Sequence, residues 1–310
     1  PKVWGGRRLT HWGKRLPHAI PIGESWELAD LPLAVEEGRS VIDSGIAAGT
    51  TLRRLIEQDQ TAVLGRCQPS GDGGFPLLVK LLDARENLSV QVHPDAAYAA
   101  AHPESHLKTE SWVVLEADPG AVIYKGVKEG VTPQQFADAI GDETIVDLLI
   151  QVPVHAGDCH DLPSGTCHAL GAGVLVAEVQ TPSDTTFRVF DWGRTDRTLH
   201  IDAALQCIDF APPTPTTEPA VLEHEGLRTS LLSHTAFYAI ERIDAISEYT
   251  LPLDPGGAPE VLMMIAGEAT LGEYSLPCGQ TALLPANFAP QAMEMKPGTS
   301  VLRITLGSTD

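Results

Sequence analysis

Short apolar segments, each cut off by glycine, proline or aspartate, recur along the whole chain and confine it to a fold built mainly from strands. Residues 77–82, 88–93, 111–115, 121–124, 174–179 and 186–190 alternate or run apolar in this way. The 24 prolines and 28 glycines are spread throughout, which suits many short strands joined by turns better than a helical bundle. Helical patterning is limited. Thr132-Pro133 offers an N-cap followed by proline at the first helical position, with Phe136, Ala139 and Ile140 as the apolar stripe. Two further helices are expected, over 143–150 and 96–101.

The Pro/Thr-rich run 210–219 has no apolar period and reads as a boundary. The expected organisation is a catalytic domain over 1–209, with a short helical segment around 132–150, and a smaller all-β domain over 220–310. Strands in the latter are expected at 236–243, 261–265, 281–284 and 300–305. Both halves carry a Gly-turn-Leu-Pro pattern, Gly157 to Leu162-Pro163 and Gly279 to Leu284-Pro285, which suggests two related β-barrels.

The 41 acidic and 21 basic side chains leave a net charge of −20. Such a surface repels nucleic acid and anionic lipid, so neither is an expected partner. An anionic small molecule would need a local cluster of lysine and arginine inside a pocket. The five cysteines form no CxxC pair and are odd in number, which reads as thiols in a reducing compartment. No stretch approaches the ~18 apolar residues of a membrane span. The expected location is the cytoplasm.

Chemistry enters with strand alternation. In Leu88-Ser89-Val90-Gln91-Val92-His93, the polar residues Ser89, Gln91 and His93 share one face and the aliphatic residues the other. A plain apolar core would leave that polar face without partners, whereas a ligand cavity removes the conflict. Lys80 lies inside the run Pro76-Leu-Leu-Val-Lys-Leu-Leu82. It reads as a cation facing the cavity with its pKa pushed down by desolvation, or as a snorkelling edge-strand lysine. Lys108 and Glu110 also share a face, and a carboxylate entering the same cavity is a natural third ligand for a borderline metal such as zinc. Taken alone, the segment would read as an exposed ion pair. The spacing G-x5-P-x-G-x2-H from Gly157 to His168 describes a tight turn that delivers a histidine from the following strand.

These strings carry a resemblance. Gly23-Glu-Ser-Trp-Glu27, Lys80-Leu-Leu-Asp83, Leu88 to Asp95, Lys108-Thr-Glu110, Leu162 to Gly171 and Ser183-Asp184 with Arg188 resemble type I phosphomannose isomerases of the short bacterial form. The likeness runs from Val3-Trp4-Gly5-Gly6 to about His200 and is faint after 210. It is specific, because other cupins usually carry His-x-His where this chain has Gln91-Val92-His93.

The resemblance implies two cupin-like jelly-roll barrels and an enzyme interconverting mannose 6-phosphate and fructose 6-phosphate. It implies one zinc ion per chain, held by Gln91, His93, Glu110 and His168. Arg188 matches an active-site arginine and Asp184 an acidic residue proposed for proton transfer, while Lys80, Lys108 and Ser89 match pocket positions. Leu107 stands where some members have a histidine suggested as a base, and neighbouring His106 receives no role. Aldose–ketose interconversion needs a Lewis acid at the oxygens and a base for the C2 proton. Arg188 is always protonated and cannot be that base. Asp184 is the first choice, unless it merely caps a turn, and Lys80 or Lys108 the second.

Two other classes compete. An iron-dependent cupin oxygenase would want a histidine-rich site, which Gln91 argues against. A non-catalytic sugar-phosphate sensor, or an isomerase of a related sugar phosphate, would keep the barrel; loss of a ligand, Arg188 or Lys80 would favour the sensor, and none is lost. His224 and His234 lie outside any comparable turn, so the C-terminal barrel is expected to be metal-free. The expected quaternary state is a monomer or weak homodimer.

Overall fold

The computed structural model describes residues 1–32, 34–35, 38–45, 47–212 and 219–307. The chain divides into two compact units, the first comprising Pro1–Leu9, Leu16–Ser25 and Val79–Thr216 and the second Thr10–Arg15, Trp26–Leu78 and Thr217–Asp310. The expected linker at 210–219 lies largely outside the described residues. Segments 10–15 and 26–78, placed with 1–209 by the sequence reading, cluster with the second unit.

Ten strands build the sheets that carry the site: β1 (Glu24–Leu28), β2 (Leu78–Ala84), β3 (Val90–Val92), β4 (Glu110–Ala117), β5 (Val122–Val127), β6 (Leu149–Pro153), β7 (Cys159–Leu162), β8 (His168–Leu170), β9 (Val174–Gln180) and β10 (Phe187–Phe190). They form two five-stranded sheets in the orders β1-β2-β9-β4-β7 and β10-β3-β8-β5-β6. These are two separate sheets rather than one closed barrel, the double-sheet form of a jelly roll. Leu82, Trp112, Val114 and Val176 from the first sheet share one apolar cluster with Ile123 and Leu170 from the second, so the two inner faces meet there.

Alternation sorts the rest. Val90 and Val92 of β3, Ala169 of β8 and Phe187 and Val189 of β10 face outward into a second cluster, packed by α4 (Pro133–Gly141) and α5 (Ile201–Cys207). Their neighbours Gln91, His168 and Arg188 therefore face inward. The expected α4 is present. Thr132 caps it in a reciprocal capping box with Gln135, and its stripe of Phe136, Ala139 and Ile140 is buried. The predicted helix α3 (Ala96–Ala101) also forms, capped by the Asp95 side chain. The helix expected over 143–150 is instead a single 3₁₀ turn, Ile145–Leu148, that runs straight into β6. Glu143 adopts a φ of 58° and ends any helical continuation.

In the second unit, a six-stranded and a four-stranded antiparallel sheet share a cluster that includes Ile243, Leu253, Leu262, Leu271, Met293 and Val301. The strands Tyr238–Ala245, Glu260–Ala266, Thr281–Leu284 and Ser300–Leu306 fall at the expected places. No helix among the described residues is long and apolar enough to cross a membrane.

Candidate active site

Register brings the sequence candidates together. Gln91 pairs with His168 across β3–β8 and with Arg188 across β3–β10, and paired residues share a face. His168 arrives through the predicted turn. Gly165 has a φ of 88°, and Thr166 N–H donates to Pro163 O at 3.0 Å, a geometry that favours glycine at that position. Gly165 N–H also donates to His93 O at 3.0 Å, which docks the turn on the His93 backbone.

His93, Glu110 and His168 converge so that one potential ligand atom from each lies within 4.8 Å of the others. They are 1%, 0% and 1% exposed. Glu110 Oε1 is 3.1 Å from His168 Nε2, and Oε2 is 3.4 Å from His93 Nε2. Donors around a tetrahedral ion with bonds of about 2.0–2.1 Å stand ~3.3 Å apart, so the spacing fits one ion. The partners fit as well. His93 Nδ1 lies 2.9 Å from Thr185 O and His168 Nδ1 lies 2.8 Å from Thr166 O. Each carbonyl accepts the Nδ1 proton and leaves Nε2 with a lone pair aimed at Glu110. Apart from ion-pair contacts, both Glu110 oxygens and His93 Nε2 are buried with no hydrogen-bond partner. Buried polar atoms of this kind are expensive unless something else coordinates them. Gln91 completes the group with its amide 3.4 Å from His168 Nε2, and a half-turn of that amide presents its oxygen to the same point.

Electrostatics sets the protonation states a metal needs. Burial, reinforced by the Lys108 charge, lowers the His93 pKa to about 3, so its imidazole is neutral. Burial opposes the charge on Glu110, but the Lys108 charge outweighs it and holds the carboxyl well below its ordinary value. Lys108 Nζ stands 2.8 Å from Glu110 Oε2.

A cavity opens onto this group. Gln91 and Lys108 belong to its wall, together with Ser89, Lys80, Arg188 and the apolar Trp4 and Trp112. Five cations line it (Lys2, Lys80, Lys108, Arg188 and Arg197) against Glu24 and Glu178. In a chain of net charge −20, this is the local cationic cluster that an anionic ligand requires.

Lys80 differs from the sequence expectation. Burial alone would lower its pKa, but Glu178, Glu24 and Glu110 outweigh it and the pKa is raised. Its ammonium is held 3.1 Å from Glu178 Oε1 and 3.0 Å from Gln180 Oε1. Glu178 in turn accepts from Trp112 Nε1 at 2.9 Å. Lys80 is thus a fixed cation rather than a desolvated neutral base. Asp184 is exposed and is not among the cavity-lining residues. It sits in a turn where Ser183 Oγ accepts from Thr185 N–H at 3.2 Å. His106 is likewise exposed.

Glu178, Gln180 and Arg197 had no assigned role from the sequence. The first two carried a signal, because Val174-Leu-Val-Ala-Glu-Val-Gln180 puts both polar groups on one face, as Lys80 is placed on β2. Arg197 lies in a loop with no period to read.

Comparison with known proteins places the chain in a family. Residues 2–116 match the model of the phosphomannose isomerase type I catalytic domain. The mannose-6-phosphate isomerase of Streptococcus mutans is 36% identical over 297 residues, 92% of this chain and 89% of that protein. The chain belongs to the mannose-6-phosphate isomerase family. A Bacillus subtilis member is 34% identical over 94% of this chain and 92% of its own length. The crystal structure of the mannose 6-phosphate isomerase from Bacillus subtilis superposes with a TM-score of 0.86 at 27% identity, covering 98% of this chain and 96% of that one.

Proposed function

We propose that the protein interconverts mannose 6-phosphate and fructose 6-phosphate by proton transfer through an enediol, with one zinc ion held by Gln91, His93, Glu110 and His168. The observation that carries this reading is the convergence of three buried donors behind a cavity lined by five cations. The donor set of two imidazoles, a carboxylate and an amide suits zinc, which would polarise the substrate's carbonyl and hydroxyl oxygens.

The chain's own residues divide the remaining work. Arg188, the cross-strand partner of Gln91, places a permanent positive charge beside the oxygens that turn anionic in the transition state. Lys80, fixed by Glu178 and Gln180, adds a second cation, and Ser89 offers a hydroxyl to the sugar. A general base must reach its proton within a hydrogen bond or one water. Lys108 stands at the cavity wall as an ammonium paired with Glu110 at 2.8 Å, so Asp184, reaching in through one water, is assigned the abstraction at C2 and Lys108 the proton delivered to the substrate oxygen.

The test is turnover of mannose 6-phosphate in deuterated water, followed by NMR. The expected result is fructose 6-phosphate carrying solvent deuterium at C1. Absence of the ketose with zinc-loaded, folded protein would contradict the substrate assignment. A ketose free of deuterium after many turnovers would contradict the enediol route.

A further inference from the structure

The loop after β10 is built around one buried carboxylate. Trp192 and Gly193 both lie in the left-handed region, with φ of 55° and 78°, and Arg194 N–H closes the reversal on Asp191 O at 3.0 Å. A bulky residue at positive φ is costly and persists only where its surroundings hold it. Trp192 is held by its Nε1–H, which donates to Leu88 O at 2.6 Å, and by the rings of Tyr124 and Phe190. The reversal gathers two guanidinium groups on Asp191, which is 3% exposed. Arg194 donates to it from Nε and Nη2 at 3.1 and 2.7 Å, and Arg197 from Nε and Nη2 at 2.8 and 2.5 Å.

The two arginines then diverge. Arg194 turns to Asn87 O at 2.7 Å and toward Glu86. Arg197 lines the cavity, and its Nη1 makes no contact with the described residues beyond the Asp191 fork. Arg188 lines the same cavity. Gln91 is its cross-strand partner, and Arg197 is the like charge that, after burial, weighs most on its guanidinium and lowers its pKa. Arg188 cannot swing away, since Nη1–H donates to Thr198 O at 3.0 Å and His200 N–H donates to Arg188 O at 2.7 Å. Two rigid, mutually repelling cations facing one cavity are an arrangement that an anion would relieve.

We propose that Arg197, clamped by Asp191, is the residue that binds the phosphate group of the substrate, while Arg188 stands between that phosphate and the reacting carbons beside Gln91. The assignment rests on the sugar-phosphate reading above and adds to it the specificity-determining residue. Asp191 acts through Arg197 and is a positioning residue.

The experiment uses zinc-loaded enzyme and inorganic phosphate as the probe, both as a competitor of mannose 6-phosphate and in direct calorimetry. Loss of a charge-assisted fork should weaken phosphate binding roughly ten- to hundredfold. Arg197→Gln is therefore expected to raise KM and the phosphate inhibition constant by that factor, with kcat within about threefold of wild type. Arg197→Lys keeps the charge but not the fork and falls between; Asp191→Asn loosens Arg197 and behaves like Arg197→Lys. Arg228→Gln, which removes the same charge from an exposed strand of the second unit, changes neither constant. An Arg197→Gln enzyme whose KM and phosphate affinity stay within twofold of wild type overturns the assignment. Should wild type not turn over mannose 6-phosphate, the isomerase reading falls alone. Calorimetry with phosphate still decides the subsite, tenfold weaker binding by Arg197→Gln supporting it and equal or undetectable binding by both proteins overturning it.

Discussion

Glu110→Gln is expected to leave a folded protein that no longer retains zinc and turns over at least roughly 10³-fold more slowly. The substitution keeps the shape of the side chain and removes its charge. Glu110 is the one anionic member of the proposed ligand set, and both its oxygens face the two histidines. In the variant two imidazoles and two amides remain, a set without negative charge that holds a dication far less tightly against water. Lys108 also loses its buried counter-charge at 2.8 Å. Some loss of stability should therefore accompany the loss of metal. Metal content by elemental analysis, read beside the melting temperature, separates the two effects. Retention of one zinc per chain by Glu110→Gln would contradict the ligand assignment.

Lys80→Met is expected to be the most destabilising single change in the cavity. Lys80 and Glu178 are 8% and 3% exposed and face each other at 3.1 Å. Removing one member of such a pair leaves the other charge buried and costs about 3–5 kcal/mol. Gln180 suffers too, because its Nε2–H groups are committed to Thr181 O and Ser183 O and its Oε1 accepts from the lost ammonium. The double change Lys80→Met/Glu178→Leu removes both charges and should recover most of the stability but none of the activity. Denaturant unfolding checks the first statement and steady-state kinetics the second. A Lys80→Met protein as stable as wild type would show that the pair does not hold the cavity together.

Much of the site was legible because strand alternation is strict. Once 88–93 is read as a strand, Gln91 and His93 must share a face, and the structure places Val90 and Val92 against the helices on the other side. Equally local is the turn that delivers His168, since a glycine at positive φ three residues before a histidine is written in the residues themselves. Glu178 escaped notice for a related reason. The run 174–179 is apolar but for Glu178, and a lone anion in such a run looks like a boundary until its cationic partner, 98 residues upstream on another strand, is known.

Other features depend on long-range packing that no local pattern records. Helices α1 (Leu52–Gln58) and α2 (Gln60–Leu64) are only seven and five residues long, too short for a helical period to stand out, and are capped by the side chains of Thr51 and Asp59. Composition marks the Pro/Thr-rich run but gives no sign that 26–78 clusters with the C-terminal strands. The Asp184 expectation came from the resemblance of Ser183-Asp184 with Arg188 to the family's motif. In the fold the intervening turn leaves its side chain exposed, off the cavity wall. Lys80 likewise keeps its charge because three carboxylates, Glu178 on β9, Glu24 on β1 and Glu110 on β4, close in on it.

The most direct test of the metal-dependent isomerase is a zinc titration of chelator-stripped protein, with mannose 6-phosphate turnover and bound metal measured on the same samples. The account predicts no turnover in the stripped protein and activity rising linearly until one zinc is bound per chain, then constant. Full turnover in stripped protein, or one bound zinc with no turnover, would contradict it.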